Sequence, residues 1–437
     1  MGTPYEAIKG ELISIIKEMS ASPWLFVKDP GRDFTRKRKL SFESMLCLLL
    51  GMGGSSLQAE LLEHSGYGLD TATSSAFIQQ RDKLLPIALE FVLHEFTSSF
   101  SDMRRYRGYR LLAVDGSDFH APTNAQEPDN FFQNQPGEKG YNLFHLNALF
   151  DLCDRIYTDA LIQNRREANE NKALTAMVDR SRITGRVLVI ADRGYESYNN
   201  LAHIERKGWN YLIRIKDIGS SGLLAGMEAS QDSEFDVTSD RILTKKQTNL
   251  VKSRPDLFRF LPNNSTFDFL DLHENKFYPM ALRIVRFRIS GNVYETVVTN
   301  LDRDLFPPAE LKNLYAMRWG VETSFRELKY AVGLSAFHSK KMAYIAQEVF
   351  ARLIMYNFSE RIASHVILHQ KEGRRICQVN FTIALRICRH FFRCCDILHP
   401  PDVEALIAKH ILPVRLGRHF PRNVRHRQAV SFLYRLA

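Results

Sequence analysis

Four polar residues stand at helical spacing in one short segment of the chain. Tyr315, Arg318, Glu322 and Lys329 follow one another at intervals of three, four and seven residues. At about 3.6 residues per turn, these intervals place all four side chains on one face of a helix. A helix that only packs against a core repeats apolar residues on such a face. This face offers instead one carboxylate for a cation and three groups for phosphate oxygens, which indicates metal-assisted phosphodiester chemistry.

The same helix allows an ordinary interpretation. Arg318 and Glu322 lie four residues apart, which is the spacing of the surface ion pairs that many helices carry. A run of charges is more often a solvated face than a binding site. The remainder of the chain has to decide between the two interpretations.

Two aspartates directly follow apolar segments that are typical of strands. Residues 110–114 lead into Asp115, and residues 187–191 lead into Asp192. Open α/β sheets place their chemistry at the carboxyl ends of the strands, so we expect these two carboxylates to lie side by side if the strands are neighbours. A single Asp at a strand end is more often a turn residue. The hypothesis of a site therefore rests on Asp115, Asp192 and Glu322 together.

Three carboxylates without a cluster of histidines favour a hard cation such as Mg²⁺, which takes oxygen ligands. Two such ions about 3.5–4 Å apart can activate the attacking oxygen and stabilise the leaving oxygen of a displacement at phosphorus. We predict that Asp115, Asp192 and Glu322 are the catalytic residues and the ligands of two Mg²⁺ ions, for which Mn²⁺ can substitute.

The charge of the chain is distributed unevenly. The 437 residues carry a net charge of +10, and residues 311–437 hold 21 Lys and Arg against 8 Asp and Glu. The preceding 310 residues hold 38 against 41. A basic excess confined to one part of a chain is typical of a surface that binds a polyanion. The segment from the polar helix onward is therefore a candidate surface for nucleic acid.

Composition argues against several other classes of protein. A hydrophobic content of 45% is that of a globular chain, not a disordered one. The six cysteines lack the close, even spacing of a secreted disulfide framework. No apolar run is long enough to span a bilayer, and no signal peptide opens the chain. We expect a soluble cytoplasmic protein that has no membrane partner.

Leu-rich periodic runs predict several short helices in residues 1–105. Short helices joined by Gly-bearing turns are compatible with a helix-turn-helix that enters a DNA groove. The residues that would then face the groove are Ser74, Gln79, Gln80, Arg81 and Lys83. The alternative is a plain helical bundle.

The hydrophobic period changes near residue 110. The predicted order is strands 110–115, 141–150 and 155–162, helix 168–183, strand 187–192, helix 198–207 and strand 210–215. This order predicts an α/β fold with a mixed sheet, in which the second and third strands form a hairpin.

Residues 217–290 break this rhythm and predict a β-rich insertion, with short alternating runs at 266–272 and 287–289. Strand 293–299 restores the α/β pattern, and Pro307 and Pro308 then mark the start of the polar helix. The predicted domains are a helical DNA-binding domain (1–105), a catalytic core (106–216 and 291–340), the insertion (217–290) and a basic helical C-terminal region (341–437).

The spacing of Tyr315, Arg318, Glu322 and Lys329 reproduces a known signature: Tyr, two residues, Arg, three residues, Glu, six residues and Lys. With it, the chain resembles the DDE-class insertion-sequence transposases of the IS-four, or YREK, family, to which the transposases of Tn-five and Tn-ten belong. The segments 114–118 and 191–195 are similar to the two aspartate blocks of that family. The resemblance covers residues 100–340 well.

This resemblance implies an RNase H-like core that is interrupted by a β-rich insertion before the glutamate. It implies that Asp115, Asp192 and Glu322 bind two magnesium ions. The residues expected to contact DNA are Tyr315, Arg318, Lys329, Arg326 and Arg193.

Members of the family cut both strands through a hairpin intermediate and join the released 3′-hydroxyl to target DNA, within a dimer that bridges the two ends. In relatives, an aromatic residue of the insertion stacks on a flipped base. Tyr294, Phe287 and Phe277 are the candidates in this chain.

Three functions remain open from the sequence. The first is an active DNA transposase that cleaves the ends of its insertion sequence and joins them to target DNA. The second is a captured DNA-binding protein that keeps the fold without recombining, against which the three intact acids argue. The third is a metal-dependent DNA nuclease of the same fold that cuts without strand transfer, and the sequence separates it poorly from the first.

Overall fold

Five helices form the N-terminal part of the chain, as the Leu-rich periodicity predicts. The chain is described by a computed structural model that covers residues 3–217, 222–225, 232–271, 276–368, 377–394 and 401–414. Hydroxyl side chains that accept a backbone N–H cap four of the helices at their first turns. The helices are α1 (Pro4–Ala21), α2 (Phe42–Gly51), α3 (Leu57–His64), α4 (Ser74–Arg81) and α5 (Ile87–Ser98).

Two residues of α4 do not face solvent as the sequence predicted. Arg81 is 2% exposed and Gln80 is 7% exposed. The guanidinium of Arg81 donates to the Gln347 side chain at 2.8 Å and to Glu348 Oε1 at 2.9 Å. The prediction that Gln80 and Arg81 face a DNA groove is therefore wrong, because both side chains are buried and Arg81 is bonded to a C-terminal helix.

One mixed sheet of ten strands organises the part of the chain that follows. Its strands are β1 (Arg110–Ala121), β2 (Phe131–Phe132), β3 (Tyr141–Asp151), β4 (Ile156–Asn164), β5 (Val187–Ala191), β6 (Asn210–Ile215), β7 (Phe235–Thr244), β8 (Phe258–Phe260), β9 (Tyr278–Ser290) and β10 (Val293–Thr299). Between them lie helices α6 (Glu170–Arg180), α7 (Tyr198–Arg206) and α8 (Asn249–Ser253).

The pairing of the strands confirms the predicted α/β fold class. β3 pairs antiparallel with both β1 and β4, whereas β1, β5 and β6 run parallel to one another. The resulting order, β4-β3-β1-β5-β6, is that of an RNase H-like core. The chain enters β5 through α6 and passes from β5 to β6 through α7.

Strands β7, β8 and β9 fall within the segment predicted as a β-rich insertion, and they extend the same sheet. β10 pairs antiparallel with β6 on one side and with β9 on the other, and β9 pairs with β7. The run 287–289 lies inside β9. The run at 266–272 was wrongly predicted to be extended: its described residues, 266–271, form turns, from which Phe267 and Leu270 reach the core.

The C-terminal part returns to helices. They are α9 (Pro308–Met317), α10 (Trp319–Glu327), a π-helical turn (Leu328–Val332), α11 (Met342–His365), α12 (Phe381–Arg393) and α13 (Val403–Lys409). Two short strands, β11 (Cys377–Val379) and β12 (Ile411–Pro413), pair with each other and were not predicted. Predictions for the loop at 219–221 and for the chain after residue 414 fall outside the described residues.

Side chains of β1 alternate between two apolar layers. Leu112 and Val114 pack with the helices α6 and α7, whereas Leu111 packs with α9. Ala113 lies in the layer of α10 and α11. Because strand side chains alternate with a period of two, Asp115 belongs to the face of Leu111 and Ala113. That is the face covered by the polar helix.

A buried ionic cluster joins the N-terminal helices to α11. Glu348 lies 2.9 Å from Arg81, 3.2 Å from His338 and 3.3 Å from Arg352, and all four side chains are almost fully buried. Burial alone would raise the pKa of Glu348, but the charges of Arg81, His338 and Arg352 outweigh it and hold the pKa below its usual range. The ionised carboxylate therefore stabilises the fold at neutral pH, and this contribution is lost only as the pH falls.

We expect Glu348→Gln to destabilise the chain by about 3–5 kcal/mol, because the substitution leaves buried cations without their counter-charge. The measurement is urea denaturation of the full chain followed by tryptophan fluorescence. Asp70→Asn is the control, since Asp70 pairs with Lys39 at an exposed surface, and its denaturation midpoint should not move. Equal midpoints for Glu348→Gln and the unsubstituted chain would contradict the assigned role of this cluster.

Candidate active site

The register of the parallel strands brings two of the predicted acids together. The last parallel pair of β1 and β5 is Ala113 with Ile190. Asp115 and Asp192 each lie two residues beyond that pair, and both therefore stand on the same face at the same level of the sheet. From the sequence, Asp115 and Asp192 were expected to lie side by side only if their strands are neighbours. The pairing of β1 with β5 meets that condition.

One detail of the prediction is wrong. Asp192 directly follows β5, as expected, but β1 does not end at Asp115. It continues to Ala121, because its antiparallel partner β3 keeps pairing with it as far as Asn142. Asp115 is thus a mid-strand residue that still pairs with β3 on one side of β1. On the other side, the pairing with β5 has already ended.

Each aspartate is oriented by the backbone that follows it. The N–H of Gly116 donates to Asp115 Oδ1 at 2.9 Å, and the N–H of Gly194 donates to Asp192 Oδ1 at 2.8 Å. Such bonds to an ionised carboxylate fix the rotamer while leaving the second oxygen for another partner.

The electrostatics of Asp115 reflect the neighbouring acids. Burial raises the pKa of Asp115, Arg318 and the N–H of Gly116 lower it, and the charges of Asp192 and Glu322 raise it again, to a value of about 7. Like charges shift a carboxyl pKa in this way only when they lie close by. The three predicted acids thus share one electrostatic neighbourhood, although they come from a strand, a loop and a helix.

The carboxylate oxygens of these three acids do not all lie within 4.8 Å of one another. Among the described residues, Glu90, His94 and Asp159 form the one group that meets this spacing. Arg180 already bridges that group, at 2.8 Å from Glu90 and 2.6 Å from Asp159. A guanidinium that neutralises both carboxylates makes a metal there superfluous.

Helix α10 is anchored to the core by residues on either side of Glu322. Val321 and Phe325 are buried in the core, and Ser324 accepts a hydrogen bond from the Tyr157 hydroxyl at 2.8 Å. Glu327 lies 3.0 Å from Arg155. With these residues anchored, the remaining face of the helix carries Glu322 toward β1.

Arg318 stands at a break in the polar helix and is not a surface residue. α9 ends at Met317 and α10 begins at Trp319, so the single predicted helix is two segments that meet at Arg318. The Arg318 guanidinium donates to Glu322 Oε1 at 2.9 Å and its residue is only 6% exposed. The ordinary interpretation, a solvated ion pair, is therefore wrong. Its Nε is buried and has no hydrogen-bond partner among the described residues.

Lys329 lies in the π-helical turn that continues α10. Its Nζ donates to the Ser117 hydroxyl at 2.9 Å and sits 4.5 Å from the centre of the Phe119 ring. Burial lowers the pKa of Lys329, and the charges of Asp118 and Asp115 oppose that shift. A π-helical turn is rare and is often found at functional sites. It places Lys329 over β1, beside the strand that carries Asp115.

The other predicted DNA contacts differ in their exposure. Arg193 and Arg326 are exposed side chains. Tyr315 is 5% exposed, and its ring packs with the apolar layer of α9. Trp319, which the sequence interpretation did not single out, is 59% exposed and lies 5.5 Å from the Arg318 guanidinium. Of the residues predicted to contact DNA, Arg193 and Arg326 are therefore the exposed cations.

A fourth acid, Glu170, was missed by the sequence interpretation. It stands at the first position of α6, and its carboxylate lies near both Gly116 and Gly194. An acid at the start of a helix is common, because it favours the helix dipole. Nothing in the local sequence therefore distinguishes Glu170.

The three aromatic candidates for base stacking fare differently. Phe287 is 4% exposed within the apolar layer of the sheet, so its candidacy is wrong. Phe277 is 51% exposed and packs on Phe258. Tyr294 lies between Arg286 and Arg288, at 4.7 and 5.7 Å from their guanidinium carbons. Phe277 and Tyr294 stay candidates.

Comparison with known proteins agrees with this geometry. The family described as Transposase DDE domain matches residues 106–358, which is more than half of the chain. The transposase InsG for insertion sequence element IS4 of Escherichia coli strain K12 is 22% identical over 425 residues, covering 91% of this chain and 88% of that protein. The putative transposase InsL for insertion sequence element IS186A of the same strain is 23% identical, covering 56% of this chain and 64% of that protein.

A cryo-EM structure of a piggyBac transposase synaptic complex with hairpin DNA aligns over 96% of this chain and 87% of that chain, with a TM-score of 0.42 and 10% identity. None of the described helices has the length and apolarity needed to cross a membrane. The resemblance to DDE-class insertion-sequence transposases is confirmed by the family match. This chain belongs to the DDE transposase family.

Proposed function

We propose that Asp115, Asp192 and Glu322 form the catalytic site with which this DNA transposase cleaves the ends of its insertion sequence. The main support is the strand register, which sets Asp115 and Asp192 side by side on the face that α10 covers. The second support is the raised pKa of Asp115, to which Asp192 and Glu322 both contribute.

The donor set fits divalent cations. Carboxylate oxygens are the ligands of Mg²⁺ and Mn²⁺, and the neighbourhood of Asp115 gathers three carboxylates without a cysteine. Two such ions would activate the attacking oxygen and stabilise the leaving oxygen in an in-line displacement at phosphorus. The backbone bonds to Asp115 and Asp192 hold their carboxylates in position, so little ordering is needed when cations bind.

The cations of the polar helix would hold the DNA phosphates. The buried Nε of Arg318 lacks a partner among the described residues, and a phosphate oxygen is its natural acceptor. We propose that Lys329, Arg326 and Arg193 supply further positive charge to the bound DNA. Tyr315 contributes by packing beside Arg318, whose guanidinium lies 5.8 Å from its ring.

The complete reaction would use this one site for both cleavage and joining. Cleavage frees a 3′-hydroxyl at the end of the element, and that hydroxyl then attacks a phosphodiester of the target duplex. We propose that this proceeds by cut-and-paste, through hairpin ends, in a homodimer that bridges both ends. The relatives are bacterial proteins, and we propose action in the bacterial cytoplasm on nucleoid DNA. Family membership favours transposition over the nuclease and captured-protein alternatives.

Asp192→Asn and Glu322→Gln should each abolish cleavage of a labelled duplex that carries the element's end, because each removes one carboxylate from the cation site. Binding of the same duplex, measured by gel shift, should be largely retained. Asp240→Asn is the matched control, since Asp240 is an exposed acid of β7. Cleavage by either active-site variant in the presence of Mg²⁺ would show that the assignment is wrong.

Lys329→Ala should weaken DNA binding and reduce its salt dependence. Loss of one phosphate contact lowers the slope of log K against log salt concentration by about one unit. Fluorescence anisotropy between low and moderate salt measures the slope, and Lys207→Ala, at the end of α7 and outside the polar helix, is the control. An unchanged slope, in a variant whose thermal unfolding matches that of the parent, would remove Lys329 from the DNA contacts.

A further inference from the structure

Glu170 reaches into the space between the two aspartate loops. Helix α6 starts at Glu170, directly after Asn169, whose side chain caps the helix by accepting the N–H of Lys172 at 3.0 Å. The carboxylate of Glu170 has one oxygen beside Gly116 and the other beside Gly194. These glycines follow Asp115 by one residue and Asp192 by two.

The two glycines leave room for this carboxylate. A Cβ atom at position 116 would lie 2.6 Å from Glu170 Oε1, closer than real side-chain contacts allow. A Cβ atom at position 194 would lie 3.3 Å from Glu170 Oε2 and 3.0 Å from Asp192 Oδ1. The carboxylates of Glu170 and Asp192 thus lie beside the same point, and these two oxygens are separated by no more than the sum of those distances.

That separation is compatible with a pair of cations. Oxygen ligands lie about 2.0–2.1 Å from Mg²⁺, and paired ions stand about 3.5–4 Å apart. Oxygens on opposite ends of such a pair can therefore be roughly 8 Å apart. Glu170 and Asp192 lie well inside this limit.

A buried histidine contacts the carboxylate of Glu170. His145 is 6% exposed, and its Nε2 lies 3.2 Å from Glu170 Oε1. Its Nδ1 lies 2.8 Å from Asp118 Oδ1, and Asp118 is in turn 2.8 Å from Arg165. This line of alternating charges fixes the direction in which the Glu170 side chain points.

Tyr195 is an independent sign of a ligand at this place. Its ring is fully buried, and its hydroxyl has no hydrogen-bond partner among the described residues. The hydroxyl lies within electrostatic range of Glu170, Asp115 and Asp192. Burying a hydroxyl without a hydrogen-bond partner costs free energy. Such a group therefore normally contacts another polar group or a bound ligand.

We propose that Glu170 is a fourth carboxylate of the divalent-cation site, with His145 as the residue that positions it. This proposal rests on the proposed function of Asp115, Asp192 and Glu322. The competing explanation is that Glu170 only stabilises the first turn of α6. That explanation does not account for a carboxylate that lies beside both aspartate loops, close to Gly116 and to Gly194.

The test is the binding of Mn²⁺ to the full chain without DNA, measured by isothermal titration calorimetry. Glu170→Gln should weaken Mn²⁺ binding about 10-fold or more, which is the loss typical when a partner of a metal site is removed. Glu167→Gln is the matched control, because Glu167 lies one turn earlier in the chain and is exposed. Its affinity should equal that of the parent chain.

Asp192→Asn separates the two proposals. If Asp192→Asn loses Mn²⁺ binding while Glu170→Gln binds as the parent does, the role of Glu170 is overturned and the proposed function stands. If both variants bind Mn²⁺ normally, both proposals are overturned. Should Glu170→Gln fail to fold, Glu170→Asp replaces it: the shorter side chain withdraws the carboxylate from the glycines and is expected to show the same loss.

Discussion

The rest of the structure depends on one constraint: three carboxylates, those of Asp115, Asp192 and Glu322, are held near one another in a partly buried site. Asp115 lies under helix α10, with Asp192 and Glu322 near enough to raise its pKa. An unsupported fold would relax by moving the acids apart, since each repels the others. Here the register of β1 and β5 holds two of them, and the buried guanidinium of Arg318 holds the third at 2.9 Å. Repulsion that is not relieved within the protein would be relieved by the divalent cations that we propose for this site.

The C-terminal helices supply the rigidity that this arrangement requires. α11 runs through the core, and its residue Asn357 exchanges hydrogen bonds of 2.8 Å with the backbone of Tyr157 in β4. Arg155, in the turn before β4, lies 3.0 Å from Glu327 of α10 and 3.1 Å from Glu360 of α11. The helix that carries Glu322 is thus tied to the sheet and to α11 by polar contacts as well as by its apolar side. A similar buried cluster around Glu348 ties α11 to the N-terminal helices.

The strands that follow β6 contribute to the site although they lie far from it in sequence. Because β10 pairs with β6, Glu295 lies 3.2 Å from Arg214. Burial raises the pKa of the Tyr315 hydroxyl. The charges of Glu295 and Arg214 also act on that pKa, together with those of Arg318 and Asp192. The extension of the sheet therefore reaches the polar helix itself. Arg286 and Arg288 of β9 flank the ring of Tyr294, the residue before Glu295 in β10, and they give this edge of the sheet a basic, aromatic surface.

The sequence by itself determined the α/β order and most strand and helix bounds, and it singled out the three acids that we propose as catalytic. Periodicity, acids after apolar strands and the spacing of the polar helix are local properties of the chain. It could not determine what depends on contacts between distant residues. The burial of Arg81 by α11, the continuation of β1 past Asp115 along β3, and the burial of Arg318 all follow from pairings across the fold. Glu170 is the clearest case: locally it is an ordinary helix-terminal acid, and only the tertiary structure sets its carboxylate between Gly116 and Gly194.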